Sequence, residues 1–115
     1  MLITICKSKI HKAYITKKQL NYQGSIGVDK RLLDAADIKA NEKVQVVNLN
    51  NGLRFETYCM EEKKDSGTIT LYGPAARLGE ISDIIIIISY GLIEPAEAKN
   101  TKVKVVHVDK DNRII

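Results

Sequence analysis

Asn21-Tyr22-Gln23-Gly24-Ser25 is the stretch of this sequence whose residue types could do chemistry on the backbone itself. Gly24 has no Cβ, so the chain there can adopt a conformation that exposes its carbonyl. Ser25 places a hydroxyl beside that carbonyl. Asn, Gly and Ser are also ordinary turn residues, and a Gly-Ser pair alone carries little information. A second group lies within five residues: Arg54, Thr57 and Tyr58. A guanidinium matches a carboxylate bidentately. A phenol with an unperturbed pKa of about 10 is protonated at neutral pH and can donate. Lys9 and His11 are two apart and would share one face of a strand. Gly73-Pro74-Ala75-Ala76 could open a short helical turn, whose first N–H groups attract anions. Pro74 has no N–H, which leaves Gly73, Ala75 and Ala76 as donors. Each residue also has a plainer reading. Lys9, His11 and Arg54 suit a solvated surface, Thr57 suits any strand, and Tyr22 and Tyr58 suit aromatic packing.

The elements that must position these groups read mainly as β. Ile84 to Ile88 are five consecutive isoleucines. Restricted χ1 disfavours them in a helix, and they pack well on a pleated surface. With both faces apolar, the run predicts a strand buried on both sides. Leu2 to Thr16 predicts one long bent strand or two. Val44 to Asn48 and Arg54 to Met60 flank Asn50-Asn51-Gly52, a short hairpin signal in which Asn51 and Gly52 both tolerate positive φ. Thr68 to Leu71 and Val103 to Val108 complete the predicted strands. Asp29 could cap a helix carrying Leu32, Leu33 and Ala36 on one face. Glu94-Pro95 could begin another. About six short strands with brief helices suggest one compact β-barrel domain over residues 1–115, whose strand order the pattern leaves open.

Composition narrows the function classes. The 115 residues are 44% hydrophobic and 28% charged, which is ordinary for a globular domain. A net charge of +4 and a pI of about 9.1 invite a nucleic-acid reading. The positive charge is spread thinly, however, and aromatics are 5% with no Trp, a poor supply for base stacking. No nucleic-acid partner is expected. Cys6 and Cys59 form no C-x-x-C, and His11 and His107 lie far apart, so no familiar zinc spacing occurs and no metal is expected. Two reduced thiols and no signal-like or membrane-spanning run predict a soluble, cytoplasmic protein.

Context gives the Gly24-Ser25 pair its meaning. Lys9-Ile10-His11 lies upstream. Asn51-Gly52-Leu53-Arg54-Phe55-Glu56-Thr57-Tyr58 follows, then Gly73-Pro74-Ala75-Ala76-Arg77, then Gly79-Glu80 to Asp83 leading into the isoleucine strand. In this order and spacing the segments resemble the pyruvoyl-dependent aspartate 1-decarboxylase family. The likeness runs from the N-terminus to about Ser89, with only a looser match beyond.

The resemblance implies a double-psi β-barrel, a homotetramer with sites between neighbouring subunits, and a precursor that cuts itself between Gly24 and Ser25. The products would be a chain of residues 1–24 and a chain of residues 25–115, with Ser25 converted to a covalent pyruvoyl group. That group would take L-aspartate as a Schiff base, release CO2, and yield β-alanine for pantothenate and coenzyme A synthesis. By the same resemblance Tyr58 is the proton donor and Thr57 assists at the Gly24 carbonyl and at the substrate. Arg54 and Lys9 would hold substrate carboxylate, with His11 nearby. Gly73, Pro74 and Ala75 would cradle the substrate through the backbone, and Tyr22 would border the pocket. The family usually has Asn before this glycine, whereas here Tyr72 stands there. That departure leaves a processing-deficient member as one alternative, and a maturation factor as a further expected partner. A non-enzymatic basic β-barrel module is the other alternative. Because Thr57 and Tyr58 are adjacent, a regular strand would point them to opposite faces, so one shared site calls for a bulge or a second subunit.

Overall fold

The computed structural model describes residues 1–115. Eight strands form one continuous sheet: β1 (Ile3–Tyr14), β2 (Lys17–Gln19), β3 (Ser25–Asp29), β4 (Lys43–Asn48), β5 (Arg54–Glu62), β6 (Ile69–Tyr72), β7 (Ile84–Ile93) and β8 (Lys104–His107). Two short helices, α1 (Lys30–Ala36) and α2 (Pro95–Ala98), and a 3-10 turn at Gly73–Arg77 complete the chain. The spatial order is β2-β6-β3-β5-β4-β7-β1-β8. Three pairs are parallel (β1 with β8, β2 with β6, β3 with β5) and the other four antiparallel, a mixture that needs crossing connections.

β1 is a single bent strand. Its register against β7 shifts between Cys6 and Ser8 and again between Ile10 and Ala13, and Lys12 in the second break has φ 62°. Such bulges sharpen the local twist and let one strand follow a curved wall. Ile10, Ala13 and Ile15 thereby all reach the core, where Ile26, Val28, Leu71, Val46, Ile85 and Ile87 meet them.

Asp29 starts α1 as expected. Its Oδ1 accepts from Arg31 N at 2.8 Å and Asp65 N at 2.9 Å, and its Oδ2 accepts from Gly67 N at 2.8 Å. The carboxylate is 1% exposed, so these backbone donors replace its water. The helix buries Leu32, Leu33 and Ala36.

Two sequence expectations need correction, and one strand carries no sequence signal. β3 is that strand, because Gly27 interrupts its five residues and glycine weakens strands. All five are nonetheless buried, since β5 and β6 pair on either side. The turn after β4 is longer than a two-residue hairpin. Only Gly52 takes positive φ (76°), while Asn48 Oδ1 accepts from the Asn50 and Asn51 amides at 2.8 and 3.2 Å. The isoleucine strand is buried at Ile85, Ile87 and Ile88, whereas Ile84 and Ile86 are half-buried within one chain. No helix is long and apolar enough to cross a membrane.

Candidate active site

Ser25 is the first residue of β3, and its backbone pairs with Tyr72 at the end of β6. The residue is fully buried. Its Oγ donates to Met60 Sδ at 3.2 Å. A thioether is a weak acceptor, so the hydroxyl is held without a strong hydrogen bond. Gly24 before it has φ 96°, a region that L side chains rarely adopt. Gly73, at φ 64°, backs directly onto this segment: a Cβ there would lie 2.6 Å from both Gly24 N and Tyr22 O. Glycine at both positions therefore lets two stretches of backbone touch where the peptide bond in question lies.

A cleft of about 380 Å³ opens beside it, lined by Gln23, Gly24, Ser25, Phe55, Glu56, Thr57, Tyr58, Pro74, Ala75 and Leu78. Six of the sequence-predicted residues thus come together: Gly24, Ser25, Thr57, Tyr58, Pro74 and Ala75. Thr57 and Tyr58 both reach the cleft without a bulge, because β5 pairs with β4 in unbroken register from Tyr58 to Arg54. The reason is an edge. The parallel ladder between β3 and β5 begins only at Ile26 and Cys59. The part of β5 before Cys59 has no neighbour on that side, so residues from both of its faces border the opening. A larger cleft of about 490 Å³, lined by Thr4, Lys43, Val44, Glu56, Tyr90, Gly91 and Leu92, lies away from Ser25.

The other predicted residues stand differently. Gly73 supports Gly24 from behind rather than lining the cleft. Tyr22 packs against Tyr72, with ring centroids 4.5 Å apart. Arg54 is exposed and donates from Nη1 to Gln45 Oε1 at 3.3 Å. Lys9 pairs with Ile88, Ile88 with Gln45, and Gln45 with Glu56, a single row across β1, β7, β4 and β5. Three strand spacings put Lys9 about 14 Å from that part of β5. Within one chain, Lys9 and His11 therefore do not meet Ser25. His11 sits edge-on to His107, with centroids 5.4 Å apart. Burial first, then the charges of His107, Lys12 and Lys9, hold its pKa below the usual value.

Met60 is the contact of Ser25 that sequence reasoning missed. Nothing in its spacing signals the role, which follows from the β3–β5 pairing. Cys59, next to it, is a poor candidate nucleophile, because burial pushes its thiol up to about 12. No three His, Cys, Asp or Glu side chains gather where they could hold a metal ion.

The family model described as aspartate decarboxylase matches residues 1–115. An aspartate 1-decarboxylase of Thermoanaerobacter pseudethanolicus is 58% identical over 107 residues, covering 93% of this chain and 92% of that protein. One from Acetivibrio thermocellus is 56% identical over 115 residues, covering 100% of this chain and 91% of that protein. Another, from Chloroherpeton thalassium, is 58% identical over 113 residues, covering 98% and 83%. Matches of this extent, over a chain whose Gly24-Ser25 bond borders a cleft with Thr57 and Tyr58, place it in the aspartate decarboxylase family, among the carboxy-lyases.

Proposed function

We propose that this chain is a self-processing decarboxylase of L-aspartate, which cuts itself between Gly24 and Ser25 and releases β-alanine and CO2 for pantothenate and coenzyme A synthesis in the cytoplasm. The observation that carries this reading is the pairing of a left-handed Gly24 with a buried, weakly bonded Ser25 hydroxyl at the mouth of a cleft. In the first step Ser25 Oγ attacks the Gly24 carbonyl carbon. The C–N bond breaks and the Ser25 nitrogen takes the proton, turning the amide into an ester. Gly24 holds φ 96° without the steric cost a side chain would bring, so the backbone before Ser25 can take a conformation closed to other residues. Loss of the Cα proton of Ser25 then expels residues 1–24 as a carboxylate. Addition of water and loss of ammonia convert the remaining residue into a pyruvoyl group.

The site fits that group. Ser25 is already buried beside the cleft, anchored by pairing on β6 and by Ile26 on β5. The pyruvoyl group supplies an electron sink of the kind other decarboxylases take from a bound cofactor. The chain's own residues do the rest. Tyr58 presents its phenol hydroxyl at the cleft, suited to deliver a proton to the substrate carbon that loses CO2. Thr57 offers a hydroxyl on the same edge. Pro74 and Ala75 of the 3-10 turn line the same cleft.

Carboxylate recognition needs cations, and one chain does not bring Lys9, His11 or Arg54 to Ser25. A homotetramer in which a neighbouring copy supplies them meets that need. Exposed apolar side chains support it: Leu2, Leu92, Val103 and Val105 are 52%, 65%, 45% and 41% exposed. A separate maturation factor could assist the cut. The full-length family match disfavours the basic binding-module reading.

The test is the intact mass of purified protein under denaturing conditions. Two fragments, residues 1–24 and 25–115, are expected, the larger one ammonia lighter than a chain beginning with free serine. A single uncut mass that persists through long warm incubation, with or without cell extract, would overturn the reading.

A further inference from the structure

Tyr72 ends β6 beside Ser25, and it is tied to a residue with no role so far. Its hydroxyl donates to Glu62 Oε2 at 2.8 Å. Glu62 is the last residue of β5 and forms no ion pair. Gly27 makes the reach possible: a Cβ there would collide with the Glu62 carboxylate, so the side chain lies across β3 where a methyl would otherwise stand. On its other side the Tyr72 ring packs on Tyr22 at 4.5 Å, and the Tyr72 backbone pairs with Ser25. Burial, then the hydrogen bond and charge of Glu62, raise the Tyr72 pKa, so the phenol keeps its proton and stays a donor.

We propose that Glu62 and Tyr72 are positioning residues for the backbone cut: Glu62 fixes the Tyr72 hydroxyl, and the fixed ring holds Tyr22 so that the Gly24 carbonyl stays presented to Ser25 Oγ. This rests on the self-cleavage reading above. The clamp acts on the segment before the bond, whereas Gly73 supports it from behind. Gly27, Glu62 and Tyr72 form a set, since each has room or a partner only because of the others.

Two readouts test the clamp. The first is the rate at which the intact chain disappears, followed by denaturing mass measurement, for the parent, Tyr72→Phe, Glu62→Ala, Glu62→Gln and the Tyr72→Phe/Glu62→Ala double variant. The single losses should slow cleavage about tenfold, the effect of removing one hydrogen bond to a charged acceptor. The double variant should be no slower than the slower single variant, because both remove one link. Glu62→Gln keeps an acceptor oxygen and should recover part of the rate. The second readout is amide hydrogen exchange over residues 20–24 in an uncleavable Ser25→Ala background. Adding Tyr72→Phe should speed exchange there and leave β4 and β7 unchanged. Unchanged exchange over 20–24 overturns the clamp whether or not the parent cuts. Faster exchange with cleavage rates within twofold of the parent overturns its role in the reaction. A parent that never cuts overturns the cleavage reading instead, and separates that failure from this one.

Discussion

The two ends of β3 are four residues apart and built to opposite purposes. At Asp29 a buried carboxylate is saturated by backbone donors from Arg31, Asp65 and Gly67. At Ser25 an equally buried hydroxyl has a thioether as its one hydrogen-bond partner. Both are polar groups taken out of water, which normally costs free energy unless hydrogen bonds replace it. The Asp29 end recovers that cost and serves as a structural anchor. The Ser25 end leaves it largely unrecovered, beside a glycine in a left-handed conformation. Stability and reactivity are thus separated along one strand.

The comparison can be broken most completely at Ser25. Ser25→Ala should abolish the fragments seen by mass and all β-alanine formation, while a denaturant melt stays within about 1 kcal/mol of the parent, because one weak hydrogen bond is lost. A large loss of stability would mean that Ser25 is an anchor like Asp29. Gly73→Ala comes next. Its methyl would meet Gly24 and the Tyr22 carbonyl at a left-handed φ, so cleavage should fall by at least tenfold and stability by roughly 1–3 kcal/mol. Mass measurement and thermal unfolding read the two effects. At the other end, Asp29→Ala should cost about 2–3 kcal/mol, from a lost cap and buried donors left unpaired. The chains that remain folded should still cut at the parental rate. If Asp29→Ala slowed cleavage of the folded fraction, the two ends would be coupled rather than separate.

The smallest effect belongs to neither end and calibrates them. His11 has its pKa lowered by burial and neighbouring positive charge, so the folded state prefers it neutral. The unfolded chain then binds the proton more readily. Its contribution to stability is present above the ordinary histidine value of 6.5 and is lost as pH falls through the lower folded value. An NMR titration should give His11 a midpoint below 6.5, and His107→Gln should raise it by removing a neighbouring charge. A midpoint at or above 6.5 would place a carboxylate near His11 that the fold does not show.

Much of this was legible in the sequence, and the reasons differ by element. The α1 cap at Asp29, the buried Leu32, Leu33 and Ala36, and the isoleucine strand follow from local preference and periodicity. β3 did not, because glycine hides a strand whose existence depends on two neighbours distant in sequence. The meeting of Gly24-Ser25 with Thr57-Tyr58 could be expected only from the family resemblance, since the free edge that lets both side chains border one cleft is a product of strand order. Met60 and Glu62 were invisible for the same reason. Their contacts to Ser25 and Tyr72 arise from register, which no local pattern encodes.

The position of β1 has a consequence for how the protein would come apart. Residues 1–24 contain the strand that pairs with β7 along most of its length and with β8 on its other side, and they contribute Ile10, Ala13 and Ile15 to the core. A cut at Gly24 would therefore free no peptide. The short piece would stay as a structural subunit, supplying β1, second from one edge of the sheet, and β2 at the other edge. Before the cut, β1 finds β7 within its own chain, whatever the assembly around it. Afterwards the two pieces must find each other again. Recovery of even one protomer from denaturant would then become a bimolecular event.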